Sequence, residues 1–151
     1  PHSRGTITLR SADPMYKPII RAGYLTDPKD IEILREGVRL VRRIAAQEPF
    51  AAVRGNEISP GKDVKSDAAL DTWIRSNATT FFHPVGTCRM GVDPLSVVDP
   101  ELRVRGIEGL RIADASVMPT IVGGNTNAAT IMIAEKAADL IRSRGLPADN
   151  H

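Results

Sequence analysis

The chain has 151 residues, enough for a domain with a buried core, and at 42% hydrophobic and 25% charged its composition is that of an ordinary globular protein. Its 20 Lys and Arg are scattered against 18 Asp and Glu, a net charge of +2 with only 4% aromatics, which argues against a nucleic-acid surface. No run approaches the roughly 18–20 apolar residues of a membrane helix, nothing at the start reads as a signal peptide, and the single Cys88 excludes an internal disulfide, so a cytoplasmic, reducing location is expected.

The chain opens on "PHSRG" with no initiator methionine, its first Met being Met15, and is expected to be a piece of a longer polypeptide. Residues 5–10, "GTITLR", alternate polar and apolar positions as a half-buried strand does, and "KPIIRAGYL" reads as a second strand or an ordered connection. The first strong helix follows. Asp27 is the expected N-cap, Pro28 suits the first helical position, and Asp30 sits in the first turn, where the helix dipole favours negative charge. Ile31, Leu34, Val38, Val41 and Ala45 recur at three-four spacing as one buried stripe until Pro49 stops the run. Arg35, Arg39, Arg42 and Arg43 are read as a solvated outer face paired with Glu32 and Glu36 rather than as an anion site.

"RGNEISPGKDVKSD" (54–67) is rich in Gly, Pro and charge and reads as a loop, after which Ser66 caps a shorter helix bearing Leu70, Trp73 and Ile74. Trp73 is expected to pack in the core rather than to serve as a substrate platform. Next, "TTFFHPVGTCRMG" is β-prone with a glycine turn, and "DPLSVVDPELRVRGIEGLRIAD" holds two short strand candidates around "RGIEG", a hairpin-like unit. "DASVMPTIVGGNTN" reads as a compact loop. The last helix, "AATIMIAEKAADLIRSRG", is apolar all round at its start, which predicts that its first two turns are buried, and it ends at Gly145 with Pro147 beyond.

Three places carry chemistry. His83 is the only histidine away from the termini; Pro84 biases it to an extended backbone, and its apolar flanks favour the neutral imidazole that a general base requires. Cys88, five residues on and without partners, does not make a metal site with it, so no metal is expected. The "VGGNTNAAT" loop ends at a helix N-terminus whose open N–H groups attract negative charge or carbonyl oxygens. It reads equally as ordinary capping, with Asn127 the N-cap and Asn125 a turn former. Asp114, closing the strand "LRIAD", is either a ligand contact at a strand's carboxyl end or a turn residue.

Read together, "HPVGTCRMG", "VVDPELRVRGIEGLRIADASVMPT" and "GGNTNAATIMIAEKAADLI" resemble the carboxyl-terminal part of the glucose–methanol–choline (GMC) oxidoreductases, flavoproteins that oxidise alcohols with FAD. "SRGTITLRSADP" and "YLTDPKDIEILREGVRL" add to the likeness, which is weakest at 46–65, and Ala129 stands where the family normally carries Pro. The resemblance implies an α+β fold: residues 1–105 mainly part of the substrate-binding domain, and 106–145 the last strand and helix of the FAD domain. The dinucleotide fingerprint G-x-G-x-x-G is missing from the sequence, so the N-terminal dinucleotide-binding part is expected to lie elsewhere in the same polypeptide, as this chain's partner.

The resemblance also implies roles. His83 is the base, Asn125 its hydrogen-bonding companion, and Asp114 and Ala115 approach the phosphate–ribityl region of FAD. Asn127 and Ala128 face the flavin's pyrimidine edge. The implied reaction is removal of the hydroxyl proton of an alcohol, choline or another primary alcohol, with hydride transfer to the flavin N5. Peripheral membrane association is implied if a quinone is the electron acceptor. The isolated chain is expected to lack FAD, to be inactive and to self-associate. The alternative is a non-catalytic binding or scaffold domain that keeps the fold.

Overall fold

The computed structural model describes residues 1–143. Two compact units divide the chain, Pro1–Thr79 and the residues from Thr80 onward. The first begins with a two-stranded antiparallel sheet, β1 (Thr6–Thr8) and β2 (Ile19–Arg21), with Ile7 opposite Ile20. Of the two readings open for the second stretch, the strand forms; each strand is three residues long, and β1 is exposed along its length rather than half-buried. Next to them the backbones close tightly, because a Cβ on Gly5 would lie 2.5 Å from the Arg21 carbonyl oxygen.

Helix α1 (Pro28–Ala45) starts as its sequence dictates, with Asp27 accepting the N–H of Lys29 at 2.8 Å and Pro28 in the first turn. Asp30 does more than complement the dipole. It is buried, and its two carboxylate oxygens accept the backbone N–H groups of His2 (2.7 Å) and Ser3 (2.8 Å). The Ser3 hydroxyl and these N–H groups hold its carboxyl down at about 2. Ser3 Oγ in turn accepts the N–H of Asp27 at 3.0 Å, so the start of the chain is stitched to the start of the helix.

The expected apolar stripe along α1 is only partly correct. Ile31 is buried, but Leu34 and Val41 are 42% and 65% exposed. Helix α1 packs on α2 (Asp67–Asn77), and much of its contact face is arginine. Arg35 pairs with Asp67 at 3.0 Å and Asp71 at 3.2 Å, Arg39 pairs with Glu36 and Asp67, and Arg42 pairs with Glu57 while donating to the carbonyls of Gly61 and Val64. The expected outer face with Glu32 and Glu36 partners thus holds for the Arg39–Glu36 pair only; Glu32 pairs with Lys29. The heads of Arg35 and Arg39 meet the acidic residues of α2, a polar contact that a stripe of hydrophobic residues does not reveal.

Ser66 caps α2 through the N–H of Ala69, as expected, and residues 54–65 form no helix or strand. Leu70 and Ile74 are buried and Trp73 is half-buried.

The second unit has a core of Val98, Leu102, Val117, Met118, Ile133 and Ala137. None of the strands expected after residue 79 forms; among the described residues, pairing there is limited to the bridges Met90–Val98, Val98–Val104 and Arg103–Arg111. The hairpin-like unit around "RGIEG" is present in form, since Val104 donates to Leu110 and Ile112 to Leu102, with Gly106 and Gly109 at φ of +78° and +73° turning the chain. What shortens the ladder is local turn chemistry. Asp93 and Asp99 accept the backbone N–H groups of Leu95, Glu101 and Arg103, and Leu102 takes φ +64°, so the chain bends before a strand can extend. The bends are well held. The Arg89 guanidinium and the Ser96 hydroxyl keep the Asp93 carboxyl far below the ordinary carboxylate range.

Helix α3 (Thr126–Arg142) lies against the 3-10 turn Ala115–Val117. Thr126, Ile133 and Ala137 are buried on one face, whereas Ile131 and Met132 are 55% and 60% exposed. The expectation of two fully buried first turns is therefore corrected: this unit's core covers only one stripe of the helix. The expected stop at Gly145 and Pro147 lies outside the described residues.

Candidate active site

Two segments of the second unit meet helix α3, one of them at its N-terminus. The first is the loop 81–90. Pro84 lacks an N–H and Gly86 turns at φ +86°, so this stretch does not form a strand. Val85 packs against the core, and the N–H groups of Cys88 and Met90 donate to the carbonyls of Ser116 (3.0 Å) and Val117 (2.8 Å). The loop is thereby laid along the second segment, the 3-10 turn, which itself packs on α3.

His83 emerges half-buried from this loop. The expected apolar sleeve is open on one side: Phe81 and Phe82 are 84% and 79% exposed, and only the Phe81 ring stands close, its centroid 5.9 Å from the imidazole at 45°. The firm contact is polar. Nδ1 of His83 lies 2.9 Å from Oγ1 of Thr126, the first residue of α3 and a buried side chain. Sequence reasoning passed over Thr126 in favour of its two asparagine neighbours. Its one signal was a β-branched hydroxyl at a helix start, where that side chain has no preceding turn to bond to.

The N-cap of α3 is Asn125, not Asn127. Its side chain makes no capping hydrogen bond and is exposed, although its backbone (φ −61°, ψ 138°) is that of a cap. Asn127 and Ala128 lie in the first helical turn, both exposed, where N–H groups have no intrahelical acceptor. Gly123 and Gly124 precede them with open space where a Cβ would stand. An amide side chain with no hydrogen-bond partner among the described residues, open N–H groups and a bare glycine pair therefore sit directly beside the residue that holds His83.

Asp114 caps the 3-10 turn, accepting the N–H of Ser116 at 2.7 Å, with its side chain otherwise exposed; Ala115 is half-buried against the core. The structure brings His83, Thr126 and the 125–128 segment together directly, and ties the Asp114–Ala115 turn to them through the loop 88–90. Among the described residues no group of three or more His, Cys, Asp or Glu side chains is arranged to hold a metal ion. No helix there is long and apolar enough to cross a membrane.

Comparison with known proteins decides the family. The family model described as GMC oxidoreductase matches residues 1–134. The chain belongs to the GMC oxidoreductase family. An oxygen-dependent choline dehydrogenase of Klebsiella pneumoniae subsp. pneumoniae is 51% identical over 142 residues, covering 94% of this chain and 26% of that protein. The alcohol dehydrogenase [acceptor] of Pseudomonas putida is 53% identical over 141 residues, 93% of this chain and 26% of the relative. Among solved structures, pyridoxine 4-oxidase from Mesorbium loti superposes with a TM-score of 0.88 at 36% identity, over 95% of this chain and 28% of that one. The expected GMC fold, mixed helix with a small sheet, is borne out. The chain spans about a quarter of the length of these GMC relatives.

Proposed function

We propose that this chain supplies the carboxyl-terminal, alcohol-handling part of an FAD-dependent GMC oxidoreductase acting on the CH–OH group of choline or another primary alcohol. Residues 1–105 are assigned mainly to the substrate-binding part and 106–145 to the returning part of the FAD domain. The single observation that carries the proposal is the 2.9 Å link between His83 and the first residue of α3, because it unites the only interior histidine with the "NTN" segment.

The residues fit FAD. An exposed helix start with open N–H groups suits the polar edge of the flavin ring, since the positive end of the helix dipole steadies negative charge there. Asn127 and Ala128 would take that role, and Asp114 and Ala115 would hold the phosphate–ribityl portion, Asp114 through the part of its carboxylate not engaged with Ser116. Bound FAD supplies a two-electron acceptor for the carbon-bound hydrogen of the alcohol.

The chain's own part is proton handling and charge stabilisation. His83 takes the hydroxyl proton, which leaves the substrate oxygen with developing negative charge. Asn125, whose amide is uncommitted in its capping position, donates a hydrogen bond to that oxygen. The dinucleotide-binding residues that hold most of FAD belong to the remainder of the polypeptide in this reading.

The test is to purify the full-length polypeptide and record its visible spectrum, then add choline and simple primary alcohols without oxygen. A yellow protein bleached by at least one alcohol supports the proposal. A colourless protein, or a yellow one inert to every alcohol, overturns it.

A further inference from the structure

We propose that Thr126 is a positioning residue for His83: its hydroxyl engages Nδ1 and so leaves Nε2 as the nitrogen that exchanges the proton with substrate. The inference rests on the reading of His83 as the base and deepens it.

A neutral imidazole carries its proton on one ring nitrogen, and the partner of that nitrogen decides what the other can do. Nδ1 of His83 is engaged at 2.9 Å by Thr126 Oγ1, and Thr126 is only 8% exposed. Nε2 has no hydrogen-bond partner among the described residues. A hydroxyl oxygen can accept, so it can hold the Nδ1–H both in the neutral base and in the imidazolium that follows proton uptake. In the step itself the substrate O–H bond breaks and its electron pair stays on oxygen. A new N–H bond forms at Nε2, and the Nδ1–H stays on the ring, donated to Thr126 Oγ1 throughout.

The place of Thr126 in the helix makes its hydroxyl available. A threonine inside a helix commonly bonds back to the carbonyl four residues earlier, as Thr130 does to Thr126 at 2.8 Å. Thr126 is the first helical residue and has no such turn behind it. Its backbone is fixed because the same face of α3 is anchored in the core by Ile133 and Ala137. With the Phe81 ring also near the imidazole, two contacts orient the ring.

The experiment uses the FAD-loaded full-length enzyme with three variants: Thr126→Val, which keeps the shape without the hydroxyl, Thr126→Ser, which keeps the hydroxyl, and His83→Ala. Turnover is measured together with the ¹⁵N shifts of labelled histidine, which report the ring tautomer. The Nδ1–H tautomer is expected in the wild type and a tautomer mixture in Thr126→Val. The Val variant should lose about tenfold in kcat, the worth of one ordinary hydrogen bond, with KM for the alcohol within about twofold, and Thr126→Ser should recover most of the rate. An Nε2–H tautomer in the wild type overturns the inference without recourse to any variant. So does a Thr126→Val enzyme with wild-type kcat while His83→Ala is inactive, an outcome that leaves the base assignment standing. Near-wild-type turnover by His83→Ala instead defeats the base assignment, and the inference with it.

Discussion

Gly86 and Met118 lie back to back: a Cβ built on Gly86 would stand 3.2 Å from the Met118 carbonyl oxygen, and the glycine holds φ +86°. This approach closes the loop that carries His83 onto the core. Gly86→Ala should destabilise the protein by roughly 1–2 kcal/mol, the cost of a left-handed backbone for an L-residue. It should also lower turnover by displacing His83. Chemical denaturation measures the first effect and steady-state kinetics the second; unchanged values of both would show that the turn does not position the histidine.

Asp30 makes stability depend on acid. Its carboxyl, ordinarily near 3.8, is held at about 2 in the folded chain by the Ser3 hydroxyl and the N–H groups of His2 and Ser3. Between those values the unfolded chain binds the proton and the folded one does not, so protonation favours unfolding. Its stabilising contribution is full above about pH 4 and is lost as pH falls towards 2. Asp30→Asn should be less stable at neutral pH and should show a flatter loss of stability across that window in denaturant titrations at stepped pH.

Asn125 and Asn127 should separate by phenotype. Because the Asn125 side chain makes no capping bond, Asn125→Ala should leave the thermal midpoint nearly unchanged. It should slow reduction of the bound flavin by roughly a hundredfold to a thousandfold, as loss of a donor to a developing oxyanion does. Asn127→Ala should chiefly loosen FAD. Stopped-flow reduction and flavin retention read the two effects, and exchanged phenotypes would shift the assignment within "NTN" by two residues.

The sequence made some of this legible and hid the rest for physical reasons. The starts of α1 and α2 could be read from Asp27, Pro28 and Ser66, because a cap is a short-range device written in two or three residues. The strands expected after residue 79 were β-prone by composition, yet Asp93 and Asp99 side chains occupy the N–H groups a ladder would need. That competition is invisible to periodicity. Periodicity also overstated the burial of α1, where Arg35 and Arg39 reach the acidic residues of α2, and of the start of α3, only one stripe of which the local core covers. At the candidate site, His83 and the amide-bearing loop stood out by residue type. The contact that joins them did not, since Thr126 and His83 lie 43 positions apart and a threonine carries no chemical signature of its own.

The chain on its own should be colourless and inactive. A Gly-rich turn ahead of a helix N-terminus is the usual holder of the FAD pyrophosphate, and these residues contain no such fingerprint. Exposed Phe81, Phe82, Ile131 and Met132 should drive it to associate with itself. Its visible spectrum with added FAD and its mass in solution check both statements. A monomer that takes up stoichiometric flavin and oxidises an alcohol would show that this chain binds FAD by itself.

The most direct test of the account is the rate at which a saturating alcohol reduces the flavin of the full-length His83→Ala enzyme in the absence of oxygen. Loss of a general base costs roughly a hundredfold or more. The expected result is a decline of at least about that size with FAD still bound. A flavin reduced at the wild-type rate would contradict the role given to His83 and, with it, the reading of this site.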